Sequence, residues 1–94
     1  MKSICKVDSD GSKRCYMDGT DILHREDGPA IEYPDGDKFY YINGKLHRED
    51  GPAVEFSDGD KYWYYKGINL EKELVMEINS VEELQRAIKL LILI

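Results

Sequence analysis

Long hydrophobic runs are absent: the longest is the five-residue string Leu90-Leu91-Ile92-Leu93-Ile94, far short of a bilayer span. The start, Met1-Lys2-Ser3-Ile4, lacks the apolar block of a secretion signal, so a cytoplasmic location is the expectation. Cysteine is scarce. Cys5 and Cys15 are the only two and lack the C-x-x-C spacing of a redox or zinc motif. In the cytosol such a pair is ordinarily reduced, and two small buried hydrophobes are expected. On facing strands of one hairpin they would be placed to form a disulfide upon oxidation. Basic excess is also missing. The net charge is −6, with residues 1–22 neutral, 23–69 carrying −4 and 70–94 carrying −2. Such a surface repels phosphate backbones and suits a partner protein with a basic surface, not nucleic acid directly and not a membrane.

What is present begins with hydrophobic content, 41% of 94 residues, enough for one domain with a modest core and too much for wholesale disorder. Residues 23–45 and 46–68 are two copies of one unit, identical at 15 of 23 positions. Ile31/Val54, Tyr33/Phe56, Phe39/Tyr62 and Tyr40/Trp63 are like-for-like exchanges, so the unit is duplicated. A degenerate copy in 4–22 precedes them, where Asp10-Gly11-Ser12-Lys13 aligns with Asp35-Gly36-Asp37-Lys38 and Asp18-Gly19 with Asn43-Gly44. Past residue 69 the pattern stops.

Each unit predicts a short strand (30–33, 53–56), an Asp-Gly turn tolerant of positive φ, then an aromatic strand (38–42, 61–65) of high β propensity. Asn43-Gly44 ends the second strand, and Lys66-Gly67 takes its place in the next copy. The stretch from Leu-His-Arg-Glu-Asp to Gly-Pro-Ala connects hairpins, since Pro29 and Pro52 cannot donate to a central ladder. Stacked hairpins bury an aromatic seam that none could hide alone. In 70–94, Leu74 to Ile78 reads as a last strand. Ser80-Val81-Glu82-Glu83 is a capping box in which Ser80 accepts from backbone N–H and Glu83 reaches back. Val81, Leu84, Ala87, Ile88 and Leu91 form a helical stripe. The fold expected is mainly β (α+β): one domain, an elongated antiparallel sheet of stacked hairpins, and one C-terminal helix over its open end or one face. Leu90, Leu91, Ile92, Leu93 and Ile94 are apolar all round, so the tail is either clamped on both sides or a contact surface for another copy or a partner.

Asn43-Gly44-Lys45-Leu46-His47, followed by Ser57-Asp58-Gly59-Asp60-Lys61-Tyr62, resembles the MORN repeat family over roughly residues 8–69. That family shares the 23-residue period and a hairpin per repeat. The chain departs from it at Tyr64, where glycine is usual, and at Arg48-Glu49-Asp50-Gly51-Pro52, where the histidine is usually followed by G-x-G. It thus resembles a divergent variant of the kind common in small bacterial, phage and large-virus proteins. The resemblance implies an interaction module for proteins. By analogy it implies a phage-type inhibitor of a host defence or nucleic-acid-binding protein, acting in the host cytoplasm.

The chemical-looking letters read as scaffold. His24-Arg25-Glu26-Asp27 and His47-Arg48-Glu49-Asp50 could pair imidazole with carboxylate, but an active site is usually single while a connector recurs. In the scaffold reading Asp sets up the turn before Gly-Pro, and Arg and Glu make repeat-to-repeat salt links. Asp8-Ser9-Asp10-Gly11, Pro34-Asp35-Gly36-Asp37 and Ser57-Asp58-Gly59-Asp60 lack the further ligands of a calcium loop, and two histidines without cysteine make a poor zinc site. No catalytic residue, metal or cofactor is expected. On the aromatic strands Tyr62 and Tyr64 share one face, Trp63 and Tyr65 the other. The expected partner surface is Tyr40, Tyr62, Trp63 and Tyr64 with the turn carboxylates Asp35, Asp37, Asp58 and Asp60. The chain is therefore expected to be a non-enzymatic protein-binding module. Two rivals are self-assembly through the apolar tail and an anionic-ligand binder gripping through Arg25 and Arg48.

Overall fold

Three copies of one tight turn organise the molecule, whose computed structural model describes residues 3–93. Gly11, Gly36 and Gly59 take φ of +91°, +103° and +100°, a region a Cβ makes costly. In each, the glycine N–H donates three residues back, to Asp8, Tyr33 or Phe56, at 3.0 Å. The preceding aspartate, Asp10, Asp35 or Asp58, accepts the N–H two residues on at 2.9–3.0 Å. All these bonds span four residues or fewer, so each turn is specified locally.

The turns join strands into a six-stranded antiparallel sheet, ordered β1 (Ser3–Val7), β2 (Lys13–Met17), β3 (Ile31–Glu32), β4 (Lys38–Phe39), β7 (Val54–Glu55), β8 (Lys61–Tyr62). The expected mainly-β fold with a C-terminal helix is what forms, within a slab of 40 × 30 × 17 Å. Cys5 and Cys15 face each other across β1 and β2 and are joined in a disulfide. This corrects the reading of two reduced, buried hydrophobes: Cys15 is buried, but Cys5 is exposed.

The aromatic strands are not continuous. Each breaks at its middle residue, Tyr40 or Trp63, giving β4 then β5 (Tyr41–Ile42), and β8 then β9 (Tyr64–Tyr65). Tyr40 donates its N–H to Ala53 in the large sheet at 2.8 Å, while its carbonyl accepts from His47 on the connector at 3.0 Å. Cys15 does the same with Ala30 (2.7 Å) and His24 (3.0 Å), and the Trp63 carbonyl accepts from Leu70 (2.9 Å). Of these three equivalent positions, Tyr40 and Trp63 turn the chain out of the main sheet, while β2 runs on through Cys15 to Met17. Beyond the two pivots lie small hairpins, β5 with β6 (Lys45–Leu46) and β9 with β10 (Ile68–Asn69). Their turns, Asn43-Gly44 and Lys66-Gly67, have positive φ at both residues, the geometry that matches strand twist in two-residue hairpins.

Leu70 takes the place His47 holds one repeat earlier, and there the repeat ends. The expected strand from Leu74 to Ile78 does not form. Asn69 caps a short helix α1 (Leu70–Leu74), and Val75 closes it in the left-handed conformation. Leucine, glutamate and lysine in the first turn are good helix formers, and Asn69 accepts the Lys72 N–H, so local capping outweighs the short apolar alternation. In α2 (Val81–Leu93) Ser80 Oγ accepts the Glu83 N–H, while the Glu83 carboxylate takes the Ser80 hydroxyl rather than its backbone N–H. Leu84, Ala87 and Ile88 pack with Trp63, Leu70 and Ile78 into the core over the open end of the array. The tail is not clamped: Leu90 is 49% exposed, Ile92 64% and Leu93 83%, and Ile94 lies outside the described residues.

Candidate protein-docking surface

Cross-strand register puts two different rows on the two faces of the large sheet. One runs Lys13, Glu32, Lys38, Glu55, Lys61, alternating in charge from strand to strand. The other runs Arg14, Ile31, Phe39, Val54, Tyr62. Tyr33 and Phe56, two residues beyond Ile31 and Val54, fall on the same face as this second row. Tyr33, Phe39, Phe56 and Tyr62 then meet edge to face in succession, each pair 5.8 Å between centroids and 84–86° between planes. Edge-to-face geometry sets the positive ring edge on the negative face and stiffens the row. Arg14 closes its far end, 5.5 Å from the Tyr33 ring centre, and also pairs with Asp8. Its hydrogen bond to the Tyr33 hydroxyl raises the Arg14 pKa.

Tyr33, Phe39 and Phe56 are half-buried and Tyr62 is 39% exposed. Helix α2 packs at the other end of the pattern, against Trp63 and Leu70. The aromatic row is thus a stiff, partly wetted stripe bordered by the Asp turns. Trp63 is only 6% exposed and sits in the core, which corrects its assignment to the partner surface. The cause is the pivot: once the strand breaks at residue 63, its ring swings toward the helix. Tyr65 packs on the same core and Tyr64 is half-buried beside it. Tyr40 lies under the Arg48 guanidinium at 4.0 Å, and burial pushes its phenol pKa up. Of the four aromatics expected at the surface, Tyr62 alone belongs to the stripe. Tyr33 and Phe56 were missed because they sit at strand ends next to turns; their like-for-like exchange between copies was the available signal.

The carboxylates divide. Asp35 and Asp58 hold their own turns, and Asp37 accepts the Ser57 N–H of the next repeat at 2.7 Å. Among the described residues nothing donates to the Asp60 carboxylate.

The connectors are built as scaffold. His24 Nδ1 accepts the Asn43 N–H (3.0 Å) and His47 Nδ1 accepts the Lys66 N–H (2.9 Å), so each imidazole braces the strained turn of its own repeat. This places the ring proton on Nε2, facing Glu26 at 3.4 Å or Glu49 at 3.3 Å. Arg25 and Arg48 each donate to the aspartate two residues on (2.9 and 3.0 Å) and to the proline carbonyl four on (3.2 and 3.1 Å). Arg48 also donates to Glu55 at 2.9 Å. The Arg25 hydrogen bond holds the Asp27 carboxyl below its usual range. These links lie within one repeat, where salt links between repeats were expected. A proline fixes the carbonyl that each arginine seeks, so the nearest acceptors are local. An open cleft of about 700 Å³ between the connectors includes Arg25, Tyr40, His47, Arg48, Asp50 and Gln85 in its lining. Its arginine donors are engaged, while Asp27 and Asp50 stand 84% and 82% exposed, so it offers an anion little.

Among the described residues no group of three or more His, Cys, Asp or Glu could hold a metal ion, and no helix is long and apolar enough to cross a membrane. No protein-family model, curated protein or solved structure matches the chain.

Proposed function

We propose that this chain is a non-enzymatic, MORN-like repeat module that binds a partner protein through the open aromatic face of its large sheet. The observation that carries the reading is the stripe Tyr33, Phe39, Phe56 and Tyr62, stiffened edge to face and bordered by acidic turns. Rigid aromatics lose little entropy on binding and are frequent interface anchors. The net charge of −6 supports a partner with a basic surface, such as the host defence or nucleic-acid-binding protein that a phage-type inhibitor would occupy. Engagement of both histidines in bracing turns supports a binding role over acid–base chemistry. The test is retention of bacterial-lysate proteins on immobilised chain. Phe56→Ala with Tyr62→Ala is expected to weaken retention of the specific partner about tenfold or more, with the fold confirmed by amide dispersion. Undiminished retention would reject the surface.

A second reading is self-association through the tail, favoured by the exposure of Leu90, Ile92 and Leu93.

A further inference from the structure

Inside the molecule, one repeat recognises the next by a fixed set of contacts. Strand β7 docks on β4 with Glu55 opposite Lys38 and Val54 opposite Phe39. The Tyr40 N–H donates to the Ala53 carbonyl (2.8 Å), Phe56 meets the Phe39 ring edge to face, and the Ser57 N–H reaches Asp37 Oδ1 (2.7 Å). Every receiving group has a counterpart one period later at the edge of the sheet: Lys61 for Lys38, Tyr62 for Phe39, Trp63 for Tyr40 and Asp60 for Asp37. Strand β8 is the last in the order, and among the described residues no strand pairs with its outer side.

The charge row, the aromatic row and the backbone ladder that cross the sheet all stop there unfinished. The charge row ends on Lys61, after Glu55, so the next position calls for an acid. The aromatic row ends on Tyr62, whose outward edge has no further ring. By the alternation of antiparallel ladders, the Lys61 N–H and carbonyl and the Trp63 N–H point outward, as Tyr40 does toward Ala53. A groove of about 380 Å³ lies alongside, between Lys61 and Trp63 on one side and Glu77, Ile78 and Asn79 on the other. The 77–79 segment does not pair with the edge: the Ile78 N–H is taken by the Glu71 carboxylate at 2.8 Å.

We propose that the β8 edge is a strand-addition site for an extended segment of a partner protein, read in the order small, apolar, acidic, aromatic. The acid stands opposite Lys61 and the apolar residue opposite Tyr62. The small residue gives its carbonyl to the Trp63 N–H, and the aromatic extends the row beyond Tyr62. The residue after it donates its N–H to Asp60. The chain's own Ala53-Val54-Glu55-Phe56-Ser57 is the template. Backbone bonds supply attachment and the alternate side chains supply selection, as in strand addition generally. Two β8 edges meeting in that register would set an uncompensated Lys61 where the acid belongs, so a second copy is disfavoured. This site does not depend on the aromatic-face reading, because Lys61→Glu leaves Tyr33, Phe39 and Phe56 untouched.

The test titrates a synthetic peptide with the sequence of residues 50–58 into the isotope-labelled full chain, followed by amide NMR. Saturable shifts are expected at Asp60, Lys61, Tyr62 and Trp63. A peptide carrying Glu55→Lys is expected to bind about fivefold more weakly, and to recover against chain carrying Lys61→Glu. Lys61 is exposed, and unchanged dispersion of the remaining amides shows that the variant is folded. The proposal falls if shifts are absent up to millimolar peptide, centre elsewhere, or ignore the charge exchange. It falls equally if the same shifts arise on concentrating the chain without peptide, which would identify self-pairing.

Discussion

A Cβ on Gly51 would sit 2.6 Å from the Arg48 guanidinium carbon, and one on Gly28 3.0 Å from that of Arg25. Neither glycine has positive φ, so the demand at these positions is for space and not for backbone freedom. The guanidinium lies flat over the glycine and reaches the proline carbonyl beyond it, so Arg-Glu-Asp-Gly-Pro acts as one unit. Gly51→Ala is expected to expel Arg48 from its place over Tyr40 and cost about 1–2 kcal/mol, the scale of a charge-assisted hydrogen bond with its packing. In an Arg48→Ala background the same change should fall within about 0.5 kcal/mol of neutral. Urea denaturation of the parent chain and the three variants in this cycle checks it; equal cost in both backgrounds would place the clash elsewhere.

Strand β1 is the first edge of the large sheet. It pairs on one side only, and most of its residues are exposed. The Cys5–Cys15 disulfide ties it to β2 across the turn at Gly11, closing a loop with sequence separation 10. Closing a loop of this size stabilises by roughly 2–3 kcal/mol on chain-entropy grounds. Reduction, or Cys5→Ser, is therefore expected to release the β1 amides into fast hydrogen exchange while those of β4, β7 and α2 stay protected. Uniform loss of protection would show instead that the hairpin is integral to the cooperative unit. Cys15 occupies the position held by Tyr40 and Trp63 in the other repeats, but there the strand runs on unbroken and carries the disulfide.

Over the whole molecule the two ends of the array differ. The first edge carries a disulfide hairpin, and the last carries β8 beside a helix whose terminal turn leaves Leu90, Ile92 and Leu93 in solvent. Leu84 and Ile88 on the inner side hold the helix down, so the exposed residues are available without unfolding it. If the tail drives association, light scattering will show mass rising with concentration, and deletion of residues 90–94 will abolish the rise. A monomer throughout, with or without the deletion, removes the self-assembly reading and leaves the sheet surfaces as the binding elements.

The repeat, its hairpin turns and the capped helix were legible in the chain because each rests on contacts within a few residues: Asp-Gly at positive φ, Asn-Gly in a two-residue hairpin, Ser80 with Glu83. Tertiary structure alone decided the break at Tyr40 and Trp63. Runs of three and four aromatics (39–41 and 62–65) are good strands by local propensity, and only partners on other segments, Ala53 and His47 for Tyr40 and Leu70 for Trp63, turn them between sheets. The same long-range pairing buried Trp63 in the core and lined Tyr33 and Phe56 up with Phe39 and Tyr62. It also set the unfinished charge row at Lys61, whereas Cys5 meets Cys15 through the local hairpin at Gly11. Local chemistry thus specified the units of this protein, while the order in which the units stack selected which of their side chains meet solvent.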